Sequence, residues 1–311
     1  MMMKTKEVFR DGSRLRHWLK SIYMTIPFKK KIFLKIKKVW IPPQGISRYL
    51  YFRDVFSVYF GDKQFQINHY GFDIETNIFW YGLTGRWEKI SMSTWIKLCE
   101  RSKCIIDIGA NTGVYSLVAK SMNPTSHVHS FEPVRRVYEK LVSNNCLNHY
   151  DIDCRQIAVS HYDGEGIIYD LPTEHIYSVT INKNLTSSRL SAVVQPTTVK
   201  TTRLDTYIDS LGLEHVDLLK IDVESHEPEV LEGMGVYLGR MKPTILLEVW
   251  NDEVGTKIEN LLSGYDYHYF YTDETQPFRP AKHIRNPNPS KGYLSYLVCG
   301  QQVADYLELT Y

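Results

Sequence analysis

Short apolar runs alternate with amphipathic stretches from Cys104 onward. The runs are bounded by polar or glycine-containing segments, a pattern typical of buried strands. They predict strands at 104–108, 127–131, 152–157, 217–222 and 244–249. Apolar positions at helical spacing between them predict helices at 113–122, 134–147, 227–239 and 253–263. This alternation predicts an α/β fold with a parallel, doubly wound sheet.

Two further apolar segments follow the parallel part of the predicted sheet. Residues 267–271 and 293–299 predict strands, with a proline-rich loop between them. A terminal antiparallel hairpin of this kind would give a mostly parallel sheet of seven strands. Residues 161–203 lie between the third and fourth strands as an insert with strand-like pieces. We therefore interpret residues 104–311 as one core domain that carries this insert.

Residues 46–103 are predicted to form an extension that precedes the core domain. Aromatic and polar residues alternate over residues 49–70 on both sides of Gly61-Asp62, which predicts a β-hairpin. Residues 91–102 have the apolar spacing of a helix.

Residues 1–45 are predicted to form a basic, amphipathic helical arm. Apolar positions recur at helical spacing over residues 13–26 and again over 28–40. Residues 1–40 hold 12 Lys/Arg residues and only two acidic ones. Two interpretations stand: residues 14–40 make peripheral contact with a membrane or a partner, or both helices dock on the catalytic domain and their lysines are merely solvated.

The remainder of the chain has the opposite charge balance, with 25 Lys/Arg against 33 Asp/Glu. An acidic body argues against a nucleic-acid partner. The five cysteines are scattered and show no zinc-ligand spacing, as is usual in a reducing compartment. We find neither a run of about 18 apolar residues nor the pattern of a secretory signal. We therefore expect a cytoplasmic location, with any membrane contact peripheral and at the inner face.

The segment that follows the first core strand has the composition of a cofactor-binding loop. Asp107, Gly109, Asn111 and Gly113 form the pattern Asp-x-Gly-x-Asn-x-Gly at the start of a predicted helix. The glycines allow a tight turn and the helix N-terminus offers free N–H groups. The spacing differs from the GxGxxG of dinucleotide sites, and an acidic first residue suits a cationic ligand, such as an amino acid that carries a sulfonium. Glu132, at the end of the next strand, is placed to accept hydrogen bonds from ribose hydroxyls.

A second polar cluster follows the fourth strand and includes Asp222, Glu224, His226 and Glu227. The carboxyl ends of strands are where open α/β sheets bind ligands. His226 is a candidate general base because its pKa lies near neutrality, and a structural hydrogen bond at the helix start is the alternative. Glu224 or Glu227 would orient His226 or replace it as the base. The cluster, with Glu248 nearby, also has the oxygen and imidazole donors of a divalent-cation site. We expect no metal, because residues this close in sequence rarely converge on one ion.

The combination of motifs resembles the FkbM family of S-adenosylmethionine-dependent methyltransferases over residues 104–299. The similar segments are Ile106–Gly113, Phe131–Pro133, Ala158–Ser160, Arg203–Asp205 and Leu218–Glu227. One departure is Ser225, where the family usually has glycine. The resemblance implies a Rossmann-like class I methyltransferase fold and S-adenosylmethionine as cofactor, with S-adenosylhomocysteine as product.

The resemblance also implies roles for individual residues. Ala158 would line the cofactor site, and Asp222 would hold the methionyl ammonium or contact the reacting hydroxyl. Glu88 follows an aromatic residue, as in related sequences, and would reach the methionyl end, although an exposed glutamate of a first helical turn is the alternative. Family members methylate hydroxyl groups, which implies an O-methyltransferase here.

The predicted acceptor is a sugar hydroxyl in a glycan or glycolipid. Two alternatives remain, O-methylation of a polyketide-type small molecule and a non-catalytic, methyltransferase-like scaffold that docks to a membrane or partner. A nucleic-acid methyltransferase is disfavoured, because neither an Asn/Asp-Pro-Pro-Tyr/Phe motif nor a Pro-Cys nucleophile is present.

Overall fold

The computed structural model of the chain describes Tyr23, residues 26–170 and residues 195–310. The predicted helix 13–26 and residues 171–194 of the insert therefore lie largely outside the described residues. The helices are α1 (Lys29–Val39), α2 (Gln44–Ser47), α3 (Asp73–Tyr81), α4 (Lys89–Cys99), α5 (Val114–Met122), α6 (Arg135–Leu147), α7 (Leu204–Leu211), α8 (Glu227–Gly233), α9 (Val236–Met241), α10 (Asp252–Leu262) and α11 (Gln301–Tyr306). The strands are β1 (Asp54–Phe60), β2 (Lys63–His69), β3 (Cys104–Ile108), β4 (His127–Phe131), β5 (Asp153–Arg155), β6 (Ala158–Val159), β7 (Gly164–Asp170), β8 (Gln195–Thr202), β9 (Leu218–Ile221), β10 (Thr244–Val249), β11 (His268–Thr272), β12 (Arg279–Ala281) and β13 (Leu294–Cys299).

The main sheet has the order β12-β11-β13-β10-β9-β3-β4-β5. Strands β5, β4, β3, β9 and β10 are parallel, and β13 lies antiparallel between β10 and β11. The predicted Rossmann-like α/β fold with a terminal antiparallel hairpin is thus confirmed. The sheet has eight strands rather than the predicted seven, because β12 pairs with β11 at the edge. Pro280 made this segment resemble a loop, but an edge strand tolerates proline since one side of it needs no hydrogen bonds.

Strands β3, β9 and β10 are buried along their whole length, and their side chains alternate between two layers of core. On β3, Ile105 packs into one apolar cluster with the N-terminal extension, and Ile106 and Ile108 pack into the other. The predicted helix 227–239 is in fact two helices, α8 and α9, which are separated at Gly235, a residue with φ of +53°. None of the helices in the described part of the chain combines the length and apolar character needed to span a bilayer.

The insert forms its own small sheet. Strand β6 begins two residues after β5 ends, but it belongs to a different sheet. It pairs with β8, which also pairs with β7. The third core strand is therefore shorter than predicted. Ala158 and Ile168 of this sheet face the carboxyl ends of the main strands, where they line a cavity.

The predicted β-hairpin and the helix after it pack against the core domain. Strands β1 and β2 pair antiparallel around Gly61-Asp62, as predicted. Asn68 on β2 donates its backbone N–H to Asn144 Oδ1 at 3.0 Å, and Asn144 Nδ2 donates to the carbonyl of Thr112 at 2.8 Å. The extension is thereby connected by hydrogen bonds to the glycine-containing loop after β3.

Candidate functional site

A cavity of about 300 Å³ lies at the carboxyl ends of β3, β4, β9 and β10. This is the position at which open α/β sheets bind ligands, because the strand connections diverge there. Nine of the predicted site residues line this cavity or a smaller adjoining one of about 60 Å³: Glu88, Asp107, Gly109, Asn111, Glu132, Ala158, Asp222, Glu224 and His226. Neither cavity is lined by Gly113 or Glu227.

The loop after β3 requires its glycines for different reasons. Gly109 has φ of +80°, and a Cβ there would lie 1.9 Å from the carbonyl oxygen of Asp222. A side chain at Gly109 would therefore push β3 and β9 apart. Gly113 has φ of +91° and meets Leu141 on α6, where a Cβ would lie 2.5 Å from Leu141 Cδ1. Gly113 thus allows close packing behind the loop, while Gly109 lines the cavity itself.

Glu132 ties the end of β4 to the same loop. Its Oε2 accepts the backbone N–H of Asn111 at 3.1 Å, and its Oε1 accepts that of Val134 at 2.9 Å. Both bonds favour an ionised carboxylate, which still has lone pairs to offer a ligand. Next to Glu132 the cavity wall is apolar, with contributions from Phe131, Ile157 and Ala158.

Several carboxyl groups surround one buried lysine, Lys220, at the end of β9. Lys220 Nζ lies 3.3 Å from Asp222 Oδ2, and its side chain is almost wholly buried. Burial lowers the pKa of Lys220, but Asp222, Glu88 and other carboxylates outweigh it, so the pKa rises above its ordinary value. Burial raises the pKa of Glu88 to about 7 and that of Asp107 to about 6. The carboxyl groups therefore outnumber the positive charge within reach of them.

Glu88 reaches this group from the N-terminal extension. It precedes α4 in the left-handed conformation, with φ of +41°, and it is buried. The hydroxyl of Tyr115 on α5 donates a hydrogen bond to Glu88 Oε2. Lys220 Nζ lies 4.9 Å from the centre of the Tyr115 ring. The structure thus excludes the exposed first-turn glutamate that was the alternative for Glu88.

The turn from Asp222 to Glu227 is stabilised by hydrogen bonds to the side chain of Glu227. Glu227 is fully buried, and its Oε1 accepts the backbone N–H groups of Val223 at 3.2 Å and Ser225 at 3.1 Å. Burial raises the pKa of Glu227 to about 8. Glu224 and Ser225 both have positive φ, at +55° and +75°. Glu227 therefore holds the shape of the turn from behind, whereas Asp222 and Glu224 line the cavity.

His226 lines the cavity with its ring partly engaged. Its Nε2 lies 2.9 Å from Ser160 Oγ, and its Nδ1 lies 3.5 Å from Glu229 Oε2. Burial lowers the pKa of His226, which the carboxylate of Glu229 opposes. A neutral imidazole can accept a proton.

Four lining residues were missed or given only a secondary role by the sequence analysis: Lys220, Glu248, Trp250 and Tyr293. Lys220 carried a usable signal, because a lysine within a strand of buried apolar residues requires an anionic partner. Trp250 and Tyr293 carried no such signal. They meet only because β13 returns beside β10, which places their ring centres 5.3 Å apart.

Glu88, Asp222 and Glu248 each bring a carboxylate oxygen within 4.8 Å of the other two. Oxygen donors of this kind suit a hard divalent cation. The ammonium of Lys220 already lies beside Asp222. Any cation bound there would share Asp222 with Lys220.

The sequence of residues 107–269 matches the family described as Methyltransferase FkbM domain. The match spans the loop after β3, the end of β4 and the whole turn after β9. The chain belongs to the FkbM methyltransferase family. Its class of activity is S-adenosylmethionine-dependent methyl transfer, and the resemblance predicted from the motifs is confirmed.

Relatives of this FkbM methyltransferase occur in proteins of very different length. It is 28% identical over 190 residues to Methyltransferase sdnD of Sordaria araneosa, a match that covers 52% of this chain and 73% of the relative. It is also 28% identical over 184 residues to AMB antimetabolite synthetase AmbE of Pseudomonas aeruginosa, which covers 49% of this chain but only 8% of that protein.

Among solved structures, the FkbM methyltransferase resembles the methyltransferase FkbM of Methylobacillus flagellatus. The two chains are 14% identical with a TM-score of 0.39. The superposed part covers 63% of this chain and 43% of the other.

Proposed function

We propose that this FkbM methyltransferase is a cytoplasmic enzyme that methylates a hydroxyl of a sugar in a glycan or glycolipid. The observation that carries the proposal is the excess of carboxyl groups over cationic ones in a buried cavity at the strand ends. Asp222, Glu88 and Glu248 lie around Lys220, which is the one Lys or Arg among the described residues that line the two cavities. Such a site favours a ligand with positive charge, because burial strengthens the attraction.

The residues present fit S-adenosylmethionine. Asn111 Oδ1 is buried and has no hydrogen-bond partner within the described part of the chain, so it is available to accept a hydrogen bond from a ligand. Glu132 would hold the ribose hydroxyls, while Asp107 and Glu88 would face the methionyl ammonium. Ala158 and Ile157 would flank the adenine. When bound, S-adenosylmethionine supplies an electrophilic methyl group on a sulfonium.

His226 is the residue that we propose accepts the proton of the acceptor hydroxyl. Its lowered pKa leaves the imidazole neutral at pH 7, and the residue lines the cavity, with Nε2 2.9 Å from Ser160 Oγ. For Glu248 we propose a different role towards the acceptor hydroxyl, namely to donate a hydrogen bond to it. Burial and the neighbouring carboxylates raise its pKa well above the ordinary value, which favours the protonated form, and a protonated carboxyl group can donate a hydrogen bond.

The aromatic residues that line the cavity support the proposal of a sugar acceptor. Trp87, Trp250 and Tyr293 line the cavity and offer flat apolar surfaces of the kind on which sugar rings pack. The indole Nε1 of Trp250 is buried and has no hydrogen-bond partner among the described residues. A hydroxyl group of the acceptor would satisfy this donor, since a buried unpaired N–H costs about 1–3 kcal/mol.

Calorimetric titration with S-adenosylmethionine and S-adenosylhomocysteine tests the cofactor site. We expect saturable binding by the wild type and about 10- to 100-fold weaker binding by Glu132→Gln, which loses charge-assisted hydrogen bonds. The matched control is Glu214→Gln, at an exposed glutamate outside the cavity. No binding by the folded wild type, with or without a divalent metal, would leave the scaffold alternative in place of the enzyme.

Transfer of a labelled methyl group to a panel of glycans tests the assignment of the base. His226→Asn should lower kcat by about 100-fold or more, as expected when a general base is lost. Glu248→Gln keeps a neutral hydrogen-bond donor and should lower kcat much less. If Glu248→Gln were as inactive as His226→Asn, Glu248 would be the base instead.

A further inference from the structure

Exposed apolar side chains are concentrated near the start of the described chain. Among the described residues, thirteen large hydrophobic side chains are exposed, and nine of these lie between residues 26 and 49. Phe28 is 71% exposed, Val39 86% and Trp40 50%. Clusters of this kind on a protein surface mark sites of interaction with a membrane or a partner.

Helix α1 has two different faces. Within the helix, Ile32, Lys35 and Val39 follow one another at intervals of three and four residues, so they share a face, and that face is exposed. Phe28, immediately before the helix, is exposed as well. The other face docks on the N-terminal extension. There, Phe33 is buried with its ring centre 5.5 Å from that of Trp80.

Docking fixes the orientation of the helix. Lys37 Nζ donates a hydrogen bond to the carbonyl of Phe79, and Ile36 packs against the apolar cluster of the extension. The second helix therefore packs on the N-terminal extension, whereas most of the first predicted helix lies outside the described residues. Docking nevertheless leaves the mixed apolar and basic face turned away from the protein.

The Lys and Arg side chains of residues 26–53 are not accompanied by any acidic residue, so this segment is positively charged. Residues 26–53 contain eight Lys/Arg residues and no Asp or Glu. Lys31, Lys35 and Lys38 are exposed. Neither Lys35 nor Lys38 forms an ion pair with another described residue. A basic surface that also bears exposed Phe, Val and Trp side chains complements an anionic lipid surface, into which apolar side chains insert while lysines meet the headgroups.

We propose that the exposed face of α1, together with Trp40 and Ile41, is a docking surface for an anionic phospholipid bilayer. The surface adjoins the active-site wall through a short series of contacts. Tyr81 donates its hydroxyl to the carbonyl of Pro42 at 2.8 Å, and Arg86 donates to Gln44 Oε1. The next two residues, Trp87 and Glu88, line the cavity.

Vesicle flotation of the full chain tests the proposal without reference to catalysis. We expect the wild type to float with mixed phosphatidylcholine–phosphatidylglycerol vesicles, much less with phosphatidylcholine alone, and less as salt is raised. Lys31→Glu/Lys35→Glu/Lys38→Glu should weaken the partition coefficient by about 100-fold or more. Val39→Ser/Trp40→Ser should weaken it by about 10-fold or more.

Matched controls separate the surface from general properties of the protein. Lys97→Glu/Lys103→Glu/Lys282→Glu changes the net charge by the same amount at exposed positions elsewhere, and Val236→Ser removes a side chain that is 78% exposed on α9. Both controls should bind vesicles like the wild type. Equal binding to neutral and anionic vesicles, no binding, or an equal loss in the control triple would overturn the proposal.

Sedimentation of the protein without lipid tests whether a second copy of the chain, and not a membrane, binds to this surface. We expect the same oligomeric state for the wild type and for Val39→Ser/Trp40→Ser. If the wild type formed a dimer that this variant dissociates, and did not float with anionic vesicles, the face would be an interface between copies of the chain. The membrane proposal would then be wrong.

Discussion

Ser225 occupies a backbone conformation that favours glycine. Its φ is +75°, and its buried Oγ has no hydrogen-bond partner among the described residues. The left-handed conformation costs a residue with a Cβ about 1–2 kcal/mol, part of which is offset by the greater flexibility of glycine in the unfolded chain. We predict that Ser225→Gly raises the free energy of unfolding by about 1 kcal/mol in urea denaturation.

Ser225→Ala is the control for this prediction. It removes the unpaired hydroxyl but keeps the Cβ, and therefore keeps the backbone strain. We expect Ser225→Gly to be the more stable of the two variants. Equal stability would mean that the hydroxyl, and not the conformation, is the source of the cost.

Glu75 on α3 is a buried acid whose protonation should depend on folding. Burial raises its pKa to about 8 from a usual 4.5. Between these two values the unfolded chain releases the proton while the folded protein keeps it, so Glu75 lowers stability progressively as the pH rises from 4.5 towards 8. We predict that Glu75→Gln gains stability relative to the wild type across this window, by about 1–3 kcal/mol at its upper end.

Urea denaturation at pH 5 and pH 8 measures this difference. Glu165→Gln, at an exposed position on β7, is the control and should show no such trend. A difference between Glu75→Gln and the wild type that is the same at both pH values would contradict the assignment of a raised pKa.

Strand β9 carries the charge balance of the site. All four of its residues are buried, and Lys220 is the cation that faces Asp222, Glu88 and Glu248. We predict that Lys220→Met lowers the free energy of unfolding by about 3–5 kcal/mol, because it leaves buried carboxylates without a counter-charge. The loss should be larger at pH 8 than at pH 5, since protonation relieves the repulsion among these carboxyl groups.

Lys103→Met is the control for Lys220→Met. Lys103 is exposed immediately before β3, so its replacement should change stability by less than about 0.5 kcal/mol. A small, pH-independent effect of Lys220→Met would show that the carboxyl groups are already neutral in the folded protein.

At the scale of elements, periodicity predicted the strands of the parallel sheet closely, and β3, β4 and β10 begin and end at the predicted residues. The errors arose where backbone geometry overrides periodicity. Helices α8 and α9 share one apolar face, but the chain bends at Gly235. Strand β12 exists because it lies at an edge, and position within a sheet is not visible in a local pattern.

At the scale of the whole molecule, ligand binding should raise global stability. A ligand that binds only the folded state adds about 2.7 kcal/mol at 100 times its Kd. We predict that S-adenosylhomocysteine raises the Tm of the wild type and of Glu214→Gln at the same free ligand concentration. Glu132→Gln should show a much smaller shift. An undiminished shift in Glu132→Gln would place the ligand elsewhere.

The sequence alone determined the alternation of strands and helices in the parallel part of the sheet, the loop from Asp107 to Gly113, and the acidic turn after β9. These features are local, because they depend on periodicity, glycine spacing and residue type over short segments. Family membership rests on the same segments.

Only the tertiary structure decided which side chains share the site. Glu88, Lys220 and Glu248 are far apart along the chain, and packing of α4 and of the parallel strands brings them together. It also placed Glu227 behind the turn and turned one face of α1 away from the protein. Burial and charge compensation depend on all the neighbours of a residue, and distant parts of the chain supply most of these neighbours.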